Sequence, residues 1–323
     1  MIYTVTLNPA LDYVMTPLSL DMGFTNRSST EELYCGGNGI NVSTLLNELD
    51  IVNVAMGIVG GFTGDYLIQN LQDKGIACNF VRLEKGFTRI NVKFSGAIMA
   101  MVNGNGPKIP EKKVEELLDR MDVVLEGDTL VLTGSIPNSL PENMYTQIME
   151  RLRGRGIEYV VDAPGQLLME ALKAHPFLIK PNNHEVGRIY HATPETPEEC
   201  MPYAHMLQEA GARNVIISCG GYGSLLLDEA GGEHIVPSVK VRLVNTTGSG
   251  DSMVAGFIGK VRQGATYGDA LRFASACGTA TAATKGIAKR ATIDRVYEAL
   301  CEMMNKKPKV PKKKSRARQE KKD

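Results

Sequence analysis

A chain of 323 residues, 43% apolar and 22% charged, has the material for one large α/β domain or two small ones. Its formal net charge is zero, but Lys306 to Asp323 holds ten Lys/Arg against two Asp/Glu, so the residues before it carry −8. An acidic body argues against nucleic acid as the ligand, no apolar run nears the roughly 18 residues of a membrane span, and six scattered cysteines without a CxxC pair argue against a disulfide framework.

These features give the expectation of a cytoplasmic protein with reduced thiols. The opening "MIYTVTLNPALDYV" lacks a basic n-region and reads as a strand, not a leader. The first expected strand is Ile2 to Leu7, and "EELYCGGNGINVSTLLNELD" reads as strand end, glycine turn and helix. "VNVAMGIVGG" is a buried strand, "DYLIQNLQDKG" a helix stopped at Gly75, and "CNFVRL" a strand. Residues from about 10 to 35 are strand-like and helix-poor, and "TRINVKFSGAIMAMVNGNGPKI" alternates up to the turn residues Asn103 to Pro107. The two stretches, about 10–35 and 87–107, are expected to form one accessory sheet set apart from the main one.

After Pro110 helix and strand alternate again: "KKVEELLDRMDVVL" helical, "DTLVLTG" a strand, "MYTQIMERLRGRG" a helix, "EYVVDA" a strand. "FLIKPN", "NVIISCGG" and "GSLLLD" read as strands, and "SVKVRLV" as a half-buried one, from its alternating Val239, Val241 and Leu243. Helices follow to about Met304. The pattern predicts an α/β fold with a mostly parallel central sheet and helices on both faces. One domain over 1–304 is expected, followed by a basic tail over 305–323. The tail has no apolar periodicity and reads as a disordered end, with a polyanion-binding arm as the alternative. Polar and glycine-rich clusters follow the strand ends at Asn8, Gly36–Gly37, Gly134–Ser135, Asn182 and Gly248–Asp251, where such sheets bind ligands.

The stretch "NTTGSGDSMVAGF" carries the sharpest chemistry. Met253, Val254, Phe257, Ile258 and Val261 recur at helical spacing, so a helix begins near Asp251. Gly248, Ser249 and Gly250 let a ligand approach the backbone, and free N–H groups at a helix start favour a phosphate. Within this window Asp251 reads either as an N-cap or as a general base. No GxGxxG fingerprint or Walker A loop is present, so hydride transfer and P-loop chemistry are disfavoured. A second stretch, "CGGNGINVS", offers Gly36 and Gly37 for close approach and Asn41 for hydrogen bonding to a polyol, or ordinary turn chemistry before a helix.

The motifs "TLNPALD", "GGNGINVS", "TRINVK", "LTGSIP", "KPNNHE" and "NTTGSGDSMVAGF" occur in an order that resembles the ribokinase-like (PfkB-type) carbohydrate kinases, in the branch of 1-phosphofructokinases and tagatose-6-phosphate kinases. The resemblance spans about residues 1 to 300. It implies a three-layer α/β/α kinase whose small β-sheet is a lid, with ATP and Mg²⁺ as cofactors and a sugar phosphate as substrate. It implies that Asp251 is the catalytic base and that Gly248, Ser249 and Gly250 form the anion hole. Asn182 and Glu185 would organise Mg²⁺ and phosphates through water. Ser218, Gly220 and Gly223 would form a nucleotide-binding turn, with Ser275 and Gly278 near the adenine. Asp12, Gly36, Gly37, Asn38, Asn41 and Ser135 fall at sugar-binding positions, and Arg89 would reach the sugar's phosphate from the lid.

The chain departs from the branch on the sugar side. Asn38 stands where a lysine is usual, Ala163–Pro164 replaces small hydroxylated residues, and the NGPGP turn is altered. The function expected is ATP-dependent phosphorylation of a phosphorylated ketohexose, with 1-phosphofructokinase first and tagatose-6-phosphate kinase second. A kinase of an unphosphorylated sugar or nucleoside, and a non-catalytic sugar-phosphate sensor, are the remaining alternatives. A homodimer through the exposed lid sheet is expected; nucleic-acid and membrane partners are not.

Overall fold

Runs of Val, Ile and Leu a few residues long, each bounded by glycine or a polar turn, become strands buried on both faces. The computed structural model describes residues 1–96 and 99–305; the basic tail, and the expectation attached to it, lie outside the described residues. In chain order the first elements are β1 (Ile2–Thr6), β2 (Ala10–Pro17), β3 (Ser28–Gly36), α1 (Asn38–Glu48), β4 (Asn53–Gly60), α2 (Gly61–Asp73), β5 (Ala77–Leu83), β6 (Arg89–Phe94), β7 (Ala100–Val102) and α3 (Glu111–Arg120). Then come β8 (Thr129–Thr133), α4 (Met144–Arg151), β9 (Glu158–Asp162), α5 (Gly165–Ala171), β10 (Leu178–Ile179), α6 (Asn183–Tyr190), α7 (Pro197–Glu209), β11 (Asn214–Ser218), β12 (Ser224–Leu227), β13 (Glu233–Val236), α8 (Ser249–Arg262), α9 (Tyr267–Ala282) and α10 (Arg290–Asn305).

Among the described residues the main sheet runs β13-β12-β11-β10-β9-β8-β1-β4-β5. The pairs from β11 through to β5 are parallel, and β12 and β13 close the edge antiparallel. Successive side chains of one strand enter opposite cores. Leu130 and Leu132 of β8 pack in the cluster that includes Leu117, Ile148 and Val186 of α3, α4 and α6, while Val131 packs with Leu45, Phe257 and Leu271 of α1, α8 and α9. β11 does the same, Val215 and Ile217 one way and Ile216 the other. Period-2 alternation between two apolar layers is why these strands read as unbroken hydrophobic runs. A third cluster, with Ala55, Val59, Leu67, Leu71 and Phe80, seats α2 on β4 and β5.

The accessory sheet has the order β3-β2-β6-β7. β2 pairs antiparallel with β3 and parallel with β6, and β6 pairs antiparallel with β7, so the two separated stretches do join in one small sheet. No helix of the described residues is long and apolar enough to cross a membrane.

One expected strand is not formed. Residues 237–243 run outside both sheets, because β13 ends at Val236 and Pro237 follows, and proline supplies no ladder N–H. Val239, Val241 and Leu243 line a cavity instead. β10 is only two residues long, and Lys180 and Pro181 already lie beyond it.

Candidate active site

The carboxyl ends of β1, β8, β9, β10 and β11 open onto one cleft, which the start of α8 faces. Gly248 is the N-cap of α8 at φ 82°, a left-handed conformation that favours glycine, and a Cβ there would lie 2.7 Å from Ile287 Cδ1. The helix therefore begins at Ser249, and Asp251 is its third residue, not its cap. Among the described residues the N–H groups of Gly250 and Asp251 find no backbone acceptor, and the buried Ser249 hydroxyl has no partner. Three unspent donors at a helix start are what an anionic ligand needs.

Asp251 is buried, and its carboxylate is held by two amides of α1. Asn38 Nδ2 donates to Oδ1 at 3.0 Å and Asn41 Nδ2 to Oδ2 at 2.8 Å. The Gly36–Gly37 turn aims the start of α1 at this point, and Gly134 at the end of β8 leaves room for Asn38, since a Cβ there would lie 2.9 Å from Asn38 Oδ1. Burial pushes the Asp251 carboxyl up to about 7; Asp162 adds to the rise, while Asn41, Lys180 and Asn38 hold it back.

Lys180 and Asp162 belong to the same constellation and escaped the motif reading. Lys180 is buried just past β10, its Nζ 3.4 Å from Asp162 Oδ1 at the end of β9. A Cβ on Gly250 would lie 2.9 Å from Lys180 Nζ, so the ammonium sits directly beside the Gly248–Gly250 turn. Burial pulls the lysine pKa down, but Asp162, Glu185 and Asp251 outweigh it and raise it. Burial raises Asp162, against the pull of Lys180. The signal was in the sequence: a lysine inside "FLIKPN", directly after a buried strand, has no surface to occupy.

Asn182 and Glu185 form a capping box at the start of α6. Glu185 N donates to Asn182 Oδ1 and Asn182 N to Glu185 Oε2, each at 2.9 Å. The box uses one carboxylate oxygen and leaves the other.

Ser218, Gly220, Gly223, Ser249, Gly250, Ser275 and Gly278 converge on a single cavity of about 610 Å³. Its wall is completed by Val239, Val241 and Leu243 and by Met253. Leu243 is 68% exposed there, an apolar surface suited to the face of a flat ring. Ser224 Oγ and Ser275 Oγ lie 2.7 Å apart at its floor.

The sugar-side residues gather under the small sheet. The Asp12 carboxylate accepts from Asn91 Nδ2 at 2.7 Å and Lys93 Nζ at 2.6 Å, and a Cβ on Gly36 would lie 2.9 Å from its Oδ2. Arg89 donates from Nε and Nη2 to Asn8 O at 3.2 and 3.0 Å, and from Nη1 to Gly104 O at 3.2 Å. Ser135 is exposed beside Gly134, at the rim of the cleft.

Known proteins resemble this chain over most of its length. The family described as "pfkB family carbohydrate kinase" matches residues 5–292. The chain is 41% identical over 283 residues to a 1-phosphofructokinase of Bacillus subtilis, covering 87% of this chain and 92% of that one. It is 33% identical over 296 residues to a D-tagatose-1-phosphate kinase of Bacillus licheniformis, covering 91% and 97%. Among solved structures, phosphofructokinase-2 of Escherichia coli in complex with substrates and products superposes with a TM-score of 0.87 at 27% identity, covering 93% of this chain and 99% of that one. The cleft, the helix start that serves it and the match over nearly the whole described chain place this protein in the pfkB family of carbohydrate kinases, which makes it an ATP-dependent sugar kinase.

Proposed function

We propose that the chain transfers the γ-phosphoryl group of ATP to the C6 hydroxyl of fructose 1-phosphate, giving fructose 1,6-bisphosphate and ADP. The observation that carries this reading is the buried Asp251 carboxylate, set beside unspent N–H donors and between the nucleotide-sized cavity and the Asp12 end of the cleft. Asp251 takes the proton of the attacking hydroxyl. The oxygen then bonds to the γ-phosphorus, and the bond to the β–γ bridging oxygen breaks, its electron pair leaving with ADP. The Gly250 and Asp251 N–H groups and the Ser249 hydroxyl stabilise the charge on the moving group, and Lys180 adds a fixed cation above them.

Mg²⁺ fits this donor set. Among the described residues no three His, Cys, Asp or Glu side chains are grouped tightly enough to hold a metal by themselves. Mg²⁺ characteristically takes one or two carboxylates, several waters and the substrate's phosphates. The free oxygen of Glu185, oriented by the capping box, would hold it with Asn182 nearby, and its role when bound is to neutralise phosphate charge. The accessory sheet acts as the lid that excludes water. Its edge strands β3 and β7, with exposed Leu33, Met101 and Val102, favour a homodimer, which light scattering would report as twice the chain mass.

The reaction is tested by kcat/KM with ATP and Mg²⁺ on fructose 1-phosphate, fructose 6-phosphate, tagatose 1-phosphate, tagatose 6-phosphate, fructose, ribose and a nucleoside. Fructose 1-phosphate is expected to lead by at least about tenfold, or about 1.4 kcal/mol of transition-state binding. A lead by an unphosphorylated acceptor contradicts the proposal. Tagatose 1-phosphate takes the place of tagatose 6-phosphate as the second candidate, because two relatives, matching 91% and 90% of this chain, are named D-tagatose-1-phosphate kinases.

A further inference from the structure

The charges under the small sheet do not balance, and the imbalance points to a residue that reads the substrate. β2 and β6 pair in parallel, with Asp12 opposite Asn91, Ala10 opposite Arg89 and Val14 opposite Lys93. Side chains two apart on a strand share a face, so Arg89, Asn91 and Lys93 stand in a row on the face that Asp12 also uses. Asp12 is the carboxylate bonded to this row; its two oxygens are taken by Asn91 and Lys93. Arg89 spends three of its five N–H donors on the carbonyls of Asn8 and Gly104, which neutralise nothing, and keeps two. One carboxylate thus faces two cations in a setting where the Lys93 and Asp12 side chains are only 16% and 12% exposed. A half-buried surplus of positive charge is costly unless an anion completes it.

The place of this row in the cleft says which anion. Asp12 touches Gly36, the Gly36–Gly37 turn starts α1, and Asn38 and Asn41 of α1 grip Asp251. Lys93 and Asp251 therefore stand at opposite ends of one continuous track. In a ketohexose phosphate phosphorylated at the far carbon, the existing phosphate is also the group most distant from the attacked hydroxyl. Asn38 carries no charge at the Asp251 end.

We propose that Lys93 is the specificity-determining residue for the substrate's existing phosphate: it is held by Asp12 in the open cleft and swings on its flexible stem to the phosphate when the sugar phosphate binds, leaving Asp12 to the sugar hydroxyls. Arg89, anchored by backbone carbonyls, is the fixed half of the same site, and Lys93 the mobile half. This rests on the reaction proposed above.

The test is steady-state kinetics of the full chain with ATP and Mg²⁺, comparing wild type, Lys93→Met and Lys93→Arg on fructose 1-phosphate and on fructose. Lys93→Met is expected to raise KM for fructose 1-phosphate roughly 30- to 300-fold, as loss of one partner of a half-buried charged contact does. It should change kcat less than about threefold and lower kcat/KM on fructose at least about tenfold less than on fructose 1-phosphate, and Lys93→Arg should recover most of the loss. An unaltered KM for ATP and melting temperature establish that the variants are folded; should Lys93→Met fail that check, Lys93→Gln replaces it with the same expectation. Two results overturn the proposal: a KM for fructose 1-phosphate within threefold of wild type, or equal losses on both acceptors, which would make Lys93 only a support for Asp12. If wild type turns over no ketohexose phosphate, the proposed reaction itself fails, and that is seen before any variant is assayed.

Discussion

The two ends of the cleft are built by different means. At the end proposed for phosphoryl transfer the available groups are mostly backbone: the N–H groups at the α8 start, the glycines of two turns, and one buried carboxylate fixed by two amides. They sit on the ends of strands buried on both faces, with the Lys180–Asp162 pair beside them. At the sugar end the groups are side chains on a four-stranded sheet with open edges, and their partners come from residues about 80 positions away. The first end depends on backbone and buried groups of the main sheet, which few side-chain exchanges can alter. The second can exchange side chains without disturbing the core. The departures from the branch divide between the two: the altered NGPGP turn carries Gly104, whose carbonyl accepts from Arg89 at the sugar end, whereas Asn38 bonds Asp251 and Ala163–Pro164 follows β9 of the main sheet.

The comparison breaks first at Asp251. Asp251→Asn is expected to lower kcat by about 10²- to 10⁴-fold while ATP binding, followed by calorimetry, stays near wild type. The same variant reports on the burial of the carboxyl. A carboxyl whose folded pKa, about 7, lies above its unfolded value of about 3.9 favours the fold when protonated, and that contribution is lost as pH rises from the lower value through the higher. Asp251→Asn should therefore melt above wild type at pH 8, with the difference shrinking as pH falls toward 4. In wild type, kcat/KM should rise through about pH 7 as the base deprotonates.

Lys180 sharpens the contrast next. Lys180→Met leaves Asp162 buried without its partner and should cost roughly 3–5 kcal/mol in denaturant unfolding. It also removes a positive charge that holds the Asp251 carboxyl down, so the rising limb of the pH profile should move to higher pH. An unmoved limb with lost stability would make Lys180 structural only. Gly248→Ala forces a side chain into φ 82° and against Ile287, and should cost about 1–3 kcal/mol with a fall in kcat.

The smallest effect belongs to the small sheet. Lys285 Nζ bonds Glu32 of β3 at 2.7 Å, and its carbonyl accepts from Asn245 Nδ2 at 2.9 Å, so an exposed ion pair links the sheet to the loop before α8. Exposed pairs contribute little to stability. Lys285→Ala should leave the melting temperature unchanged and raise KM for the sugar phosphate no more than severalfold.

The same division explains what could be read from the sequence. Val/Ile/Leu runs and glycine stops are local, so the parallel strands, most of the flanking helices and the small sheet were legible, whereas β13 and the helices α5, α6 and α7 were not among the expected elements. The "GSGD" turn was legible as a helix start, but that Gly248 and not Asp251 is the N-cap, and that α1 brings Asn38 and Asn41 to the Asp251 carboxylate, depends on the fold. Residues 237–243 alternate as a strand does, but their apolar side chains serve a cavity, and periodicity does not distinguish a neighbouring layer from a ligand's wall. The Asp12–Lys93 pair depends on the parallel register of β2 with β6, which no local pattern records.

The most direct measurement is phosphorus NMR of fructose 1-phosphate and ATP incubated with the protein and Mg²⁺. The account predicts a second sugar phosphate monoester resonance at C6, appearing in step with ADP for wild type and absent for Asp251→Asn. ADP formed without that resonance, or the resonance formed equally by Asp251→Asn, would contradict it.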